Sequence, residues 1–409
     1  MVMVRWAAAG SCLALTSVAV FAPAARASAP ACDPPRGFRG AVGESWAQKR
    51  LAFTQVWPLT RGKGVTVAVV DSGAEEDHPM LAGRIARYTD LTRTGRADCV
   101  GHGTGVAALI GGRDLSDRRI PLTGVAPAST LVVVKQQNDD SDQAGGDRLP
   151  AAIQAAVAAG AEVVNISIST GHSPRLEAAV RFAVASDAVV VAAAGNARKA
   201  DGNDGPAYPA SYPGVISVAS LGPDGARAET SGLGSKVDLA APGEGVPTAW
   251  TRGGFNLQAR GTSFATAYVS GVAALVRARH PGLNARQVAH RITATADGNA
   301  GDGTGQGMVN PTQAVTAVLP EERTAAAVPP AAAGPVRFEA AERTDDRTRT
   351  VAVAVTGGAL GVAALAAVCG IVFPLGRRRG WRPGRAEPHR ERPDETTEVV
   401  RTEGGLIGR

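Results

Sequence analysis

The sequence predicts an α/β domain built on a doubly wound, mostly parallel sheet with helices on both faces, followed by a single C-terminal transmembrane helix. Three observations carry that prediction. The stretches VTVAVV (65–70), EVVNISI (162–168) and AVVVAAA (188–194) are near-continuous apolar runs, as strands are when both sheet faces are covered. Between and after them come segments with apolar residues at every third or fourth position, and strand–helix alternation builds parallel sheets. The composition is apolar but small, 44% hydrophobic with only 4% aromatic, which suits helices packed closely on a sheet.

The elements follow in chain order. Residues 1–29 carry Arg5, an apolar run from Trp6 to Ala22 and a small-residue end at Ala27 or Ala29, the anatomy of a secretory signal peptide. A short extension, residues 30–45, runs into the folded domain, residues 46–319. Within it, RLPAAIQAAVAAG closes a helix on Gly160 and RLEAAVRFAVAS spans a second from Arg175 to Ser186. Pro281 separates the helical RGTSFATAYVSGVAALV (260–276) from a helix headed by Asn284 and running through Ala296. Ser263 sits in the first turn of 260–276. A hydroxyl there is either a cap for unpaired backbone donors or a nucleophile aimed out of the helix start, and the local sequence favours the cap.

Residues 320–350 are rich in Pro and Ala with mixed charge and read as a stalk. Residues 351–375 follow without a charge. As a helix they span about 37 Å, more than the ~30 Å of a bilayer's hydrocarbon core. ERTDDRTR precedes them and GRRRGWR follows, so the positive-inside rule places the tail, residues 376–409, in the cytoplasm and the domain outside. A buried core helix is the alternative reading of 351–375. Length, lack of charge and the Arg cluster favour the membrane.

Charge and cysteines narrow the class. The net charge is +6, and the tail contributes nine Arg against six Asp plus Glu. No basic patch is interleaved with aromatics, which excludes a nucleic-acid-binding reading. Of the four cysteines, Cys12 leaves with the signal and Cys369 lies in the span, so Cys32 and Cys99 share the oxidising side. A Cys32–Cys99 disulfide is expected there, with two free thiols as the alternative. There is no CxxC, no HExxH and only six scattered His, so no metal or other cofactor is expected. The Gly-rich DGNAGDGTGQG (297–307) matches no ligand-loop pattern.

Four residues stand apart. Asp71 ends the first strand in VAVVDSG, His102 stands in GHGTGVAALIGG, Asn196 closes the third apolar run in AAAGN, and Ser263 opens its helix. Singly, each has a bland reading as cap, turn former or structural residue. Jointly they supply what acyl transfer needs: a nucleophile, a base to take its proton, a carboxylate to orient the base, and a donor for the oxyanion. The order Asp, His, Ser is one of the few that occur.

With VVDSG, GHGTGVA, VVNISI, AAAGN, YPASYPGVISVAS, APG and GTSFATAYVSGVAAL in order over about residues 62–316, the chain resembles the subtilisin-like serine proteases. The resemblance implies Asp71, His102 and Ser263 as the catalytic triad and Asn196 as oxyanion donor. It implies a protein or peptide substrate held along Ser167–Thr170 and Ala192–Gly195, with Ser167, Ile168, Ser169, Ala193 and Gly195 as the binding residues. Two positions depart from the family pattern. Ala267 stands where Pro is usual after the nucleophile, and Ser169 where Gly is usual, which reshapes the primary specificity pocket.

About 42 residues separate the signal from Asp71, which is expected to leave no room for a folded pro-domain. Extension, stalk, single anchor and short tail are similar to the mycosins, membrane-anchored subtilases of type VII (ESX) secretion systems. That resemblance implies an extracytoplasmic endopeptidase associated with a secretion membrane complex. The alternatives are a structural stabiliser of such a complex and a general cell-surface subtilase.

Overall fold

The computed structural model describes residues 32–139, 145–197, 205–298, 301–325 and 346–378. The signal peptide assigned to 1–29 lies outside them, as do 326–345 of the stalk and 379–409 of the tail. The chain divides into two units, Met1–Ala327 and Val328–Arg409, each described by itself.

The first unit is built on seven parallel strands. They are β1 (Thr66–Asp71), β2 (Ile85–Asp90), β3 (Thr130–Lys135), β4 (Val163–Ile166), β5 (Val189–Ala193), β6 (Val215–Leu221) and β7 (Leu239–Pro242). Their order is β2-β3-β1-β4-β5-β6-β7, with every neighbouring pair parallel. The chain winds outward from β1 in one direction and then returns to continue past it in the other. The end of β1, at Asp71, is therefore a topological switch point, where such sheets hold their ligands.

Strand residues alternate between two cores, as a period of two demands. Val67 and Val69 of β1, Leu131 and Val133 of β3, and Val189 and Val191 of β5 join one core. Ala68, Val70, Val132, Val134, Val190 and Ala192 join the other. The first core is covered by α1 (Trp46–Leu51), α2 (His102–Gly111), α5 (Thr262–Arg279), α6 (Ala285–Ala294) and α7 (Pro311–Thr316), the second by α3 (Gly145–Ala158) and α4 (Pro174–Ala185). Covering both faces is why these strands read as unbroken apolar runs.

Helix α5 runs through the first core and is buried from Thr262 to Arg277. Small side chains on most of its surface let it lie against β4, β5, β6 and β7 at once. Helix α6 starts with a capping box, in which Asn284 and Gln287 satisfy each other's backbone N–H groups. The element limits differ from the sequence expectation by a residue or two: α3 stops at Ala158 before Gly160, and α6 at Ala294 rather than Ala296.

Two features lie beyond the sheet. The antiparallel hairpin β8 (Val246–Ala249) and β9 (Phe255–Ala259) packs on α2, where Thr248 Oγ1 donates to Gly105 O at 2.8 Å. The extension adds to that hairpin: Phe38 and Phe255 exchange both backbone hydrogen bonds at 2.8 Å, and Arg252 pairs with Asp33. The expected Cys32–Cys99 bond is present, with Cα atoms 5.3 Å apart.

The start of the expected stalk belongs to the packed unit. Residues 320–325 form a 3-10 turn whose Glu322 pairs with Arg291, a residue only 1% exposed. Composition misses this because one buried acid in a Pro/Ala-rich stretch looks like any other surface charge. The second unit holds α8 (Asp346–Arg378), whose Ala354–Gly376 segment has 23 residues at a mean hydropathy of 2.2.

Candidate active site

Three of the four residues singled out by sequence sit at a strand end or a helix start; Asn196 lies three residues past the end of β5, in an isolated bridge with Ser231. Asp71 is the last residue of β1 and is fully buried. His102 is the first residue of α2 and Ser263 the second of α5. His102 Nδ1 lies 2.8 Å from Asp71 Oδ1 and its Nε2 lies 2.8 Å from Ser263 Oγ. The imidazole therefore bridges a carboxylate and a hydroxyl from two other elements, with its side chain 17% exposed.

Close approach explains the local sequence. A Cβ on Gly103 would lie 2.0 Å from Gly73 O, so only glycine lets α2 start this near the end of β1. Asp71 Oδ1 also accepts the Ser72 backbone N–H at 2.7 Å. The Phe264 ring lies 5.0 Å from the imidazole, centroid to centroid, and supports it from α5.

Ser263 is not the cap of its helix. The N-cap is Gly261, at φ +132°, and no side chain of its own caps the turn. Asn196 supplies that bond from elsewhere, its Oδ1 accepting Thr262 N at 2.9 Å and Thr262 Oγ1 at 3.0 Å. A Cβ on Gly261 would meet Asn196 Nδ2 at 3.2 Å and Ser263 Oγ at 3.3 Å, so donor and hydroxyl crowd the same glycine. An amide N–H and a hydroxyl gathered at a helix start are the kind of groups that can meet a developing negative charge.

The substrate-strand residues are placed more variously. Ser167 is buried and its hydroxyl donates to Ser263 O at 3.1 Å. It accepts from Asn165 Nδ2 at 2.9 Å, and Asn165 Oδ1 accepts from Ser270 Oγ at 2.9 Å. This chain ties the end of β4 to two turns of α5. Ile168 packs in the second core, whereas Ser169 is exposed just past the end of β4. Ala193 pairs with Val218 of β6, and Gly195 follows it at φ +101°.

Sequence reasoning passed over the groups that support these residues. Asp98, 2% exposed, accepts hydrogen bonds from Gly101 N and Thr104 N and so supplies the cap of α2. Lys135, at the end of β3, is buried, and its ammonium donates to Thr94 Oγ1, Gly95 O and Ala97 O. Desolvation lowers its pKa, against the pull of Asp90 and Asp98. An acidic residue just before the GHGTG run is the one signal that pointed to Asp98. Among the described residues, no group of three or more His, Cys, Asp and Glu side chains is placed to hold a metal.

Comparison with known proteins identifies the family. Residues 62–314 match the sequence model of the Subtilase family. The chain is 33% identical to Mycosin-3 of Mycobacterium tuberculosis, over 81% of this chain and 84% of that protein. It is also 33% identical to Thermitase of Thermoactinomyces vulgaris, over 66% of this chain and 95% of that protein. Among solved structures it resembles the MycP3 protease from the type VII (ESX-3) secretion system, with a TM-score of 0.62, 33% identity and coverage of 68% of this chain and 90% of the other. MycP1 with its N-terminal propeptide removed gives a TM-score of 0.61 at 32% identity, covering 68% of this chain and 98% of that one.

Proposed function

The chain belongs to the subtilase family and is a serine-type endopeptidase, and on that premise we propose that it cleaves protein substrates outside the cytoplasm through Asp71, His102 and Ser263. The observation that carries this reading is the pair of 2.8 Å contacts that His102 makes to Asp71 and Ser263.

In this reading Ser263 Oγ attacks the scissile carbonyl while His102 Nε2 takes its proton. Asp71 holds the other ring nitrogen and stabilises the imidazolium that forms. The oxyanion is met by Asn196 Nδ2 and the Ser263 backbone N–H at the start of α5. His102 then returns the proton to the leaving amine, and water repeats the cycle on the acyl-enzyme. The substrate adds as an extended strand beside Ser167–Ser169 and Ala193–Gly195. The backbone of these residues binds it, since the Ser167 hydroxyl is held by Ser263 O.

Residues 351–375 anchor the protein once, with the peptidase domain extracytoplasmic and the tail cytoplasmic. Mycosin relatives with solved structures come from type VII secretion systems. The similarity extends over 84% of the length of Mycosin-3, which supports placing this chain with such a membrane complex.

Fluorophosphonate labelling of the detergent-purified full chain tests the chemistry. Mass spectrometry is expected to find the adduct on Ser263 and to lose it in His102→Ala. An adduct elsewhere, or none at any pH, would overturn the proposal.

A further inference from the structure

Five donors converge on a carboxylate that the scheme above does not use. Asp98 stands four residues before His102. Its Oδ1 accepts from Gly101 N at 2.8 Å, Val100 N at 3.1 Å and Ser72 Oγ at 2.9 Å. Its Oδ2 accepts from Thr104 N at 2.8 Å and Thr104 Oγ1 at 2.6 Å. Most of these donors lie at the start of α2, so the carboxylate fixes where His102 begins its helix. The remaining one, Ser72, is the residue next to Asp71.

Ser72 has one hydroxyl proton and two carboxylates in reach. Asp98 Oδ1 is at 2.9 Å and Asp71 Oδ1 at 3.2 Å. Gly103 N donates to the same hydroxyl oxygen at 3.0 Å and occupies one of its lone pairs. The shorter contact assigns the proton to Asp98. Asp71 Oδ1 is then left with the Ser72 backbone N–H and the His102 ring nitrogen.

Resting on the protease reading above, we propose that Asp98 is a positioning residue that holds the Ser72 hydroxyl proton away from Asp71 while it caps α2. An additional hydrogen bond to Asp71 Oδ1 would draw charge from the oxygen that holds the imidazole. The imidazolium would be less stabilised, His102 would be a weaker base, and the acid limb of the rate would move to lower pH.

The other groups around the pair are fixed. Lys135 on β3 offers its ammonium to the loop before Cys99 and feels both Asp90 and Asp98, and Tyr88 on β2 lies near Asp98. After β1, Glu76 is paired with Arg96, and Glu75 accepts the N–H groups of Arg252 and Gly253. From α5 come the Ser263 hydroxyl and the Phe264 ring.

The test follows the rate of Ser263 labelling by a fluorophosphonate against pH, on the full-length protein in detergent. Wild type, Asp98→Asn, Ser72→Ala and the double variant are compared, separating the limiting rate from the apparent affinity for the probe. Asp98→Asn is expected to lower the limiting rate on the order of tenfold, a fraction of what a positioned base supplies, with probe affinity unchanged and the acid limb at lower pH. Ser72→Ala alone is expected to leave the limb in place, because the proton it removes sits on Asp98. In the Ser72→Ala background, Asp98→Asn should no longer move the limb.

A Ser72→Ala limb displaced to higher pH would place the proton on Asp71 and overturn the proposal. So would an Asp98→Asn shift that persists in full without Ser72, or an Asp98→Asn protein changed in melting temperature alone. Ser72→Ala decides the matter by itself if Asp98→Asn does not fold. Absence of labelling in the wild type would instead count against the protease reading.

Discussion

Asn196 caps a helix that begins 66 residues later in the chain, its side-chain oxygen accepting the backbone N–H of Thr262 at 2.9 Å. In the proposed mechanism the nitrogen of the same amide is the oxyanion donor, and it and the Ser263 hydroxyl both lie against Gly261. Two substitutions separate the two jobs. Asn196→Asp keeps the acceptor and removes the donor, so turnover is expected to fall about 10²–10³-fold with little change in melting temperature. Asn196→Ala removes both, and is expected to add a stability loss of about 1 kcal/mol. Equal melting temperatures in the two variants would show that the cap contributes nothing.

Ser263→Ala is expected to abolish fluorophosphonate labelling and to lower peptide turnover on the order of 10⁶-fold. The fold should persist, because the contacts of α5 with the sheet do not involve the hydroxyl. Expression of this variant in cells lacking the wild-type protein would also separate catalysis from scaffolding. Secretion that survives the substitution would favour a structural role.

His78 predicts a pH dependence of stability. The ring is buried; its Nδ1 accepts Met80 N at 3.1 Å, so Nε2 carries the proton that it donates to Gly254 O at 2.9 Å. Burial lowers its pKa below the usual 6.5, and the bond to Gly254 offsets this only in part. Between the folded and unfolded values the unfolded chain binds more protons, so stability is complete above about pH 6.5 and falls as the pH drops below it. His280 is shifted the same way by burial, so it adds to the slope. Melting temperatures between pH 7.5 and 5 (about that window, set by the ordinary His value) should decline for the wild type and decline less for His78→Gln.

Glu322→Ala leaves the Arg291 guanidinium buried with only the Ala314 carbonyl, out of the partners that it now has, still in place. An uncompensated buried charge costs about 3–5 kcal/mol, and thermal unfolding should show a loss of that order. Cutting the chain after residue 319, where composition ends the domain, should do the same. Cutting after residue 325 should not.

The parts of this fold that were legible in the sequence are those whose cause is local. Strands β1, β4 and β5 announce themselves because both faces are covered, and Asn284 marks the start of α6 because its capping box is contained in four residues. Strand β2 was not legible: at the edge of the sheet IARYTD carries a mixed, half-exposed pattern that no period picks out. Motif order singled out Asp71, His102, Asn196 and Ser263, which the fold brings together, whereas Asp98 was passed over. Five donors converge on it only once the end of β1 and the start of α2 are brought together. The cap reading of Ser263 failed for the same reason, since the cap comes from Asn196, a residue that sequence distance hides.

The Cys32–Cys99 bond makes one covalent ring out of everything from the extension to the loop before His102, with the whole of β1 inside it. A cut anywhere between those cysteines, by the protein itself or by another protease, releases no fragment. On a non-reducing gel such a nicked molecule would migrate as a single band, and its two pieces would separate only after a thiol is added. Maturation in this region should therefore be followed under reducing and non-reducing conditions side by side, since size alone would report an intact chain.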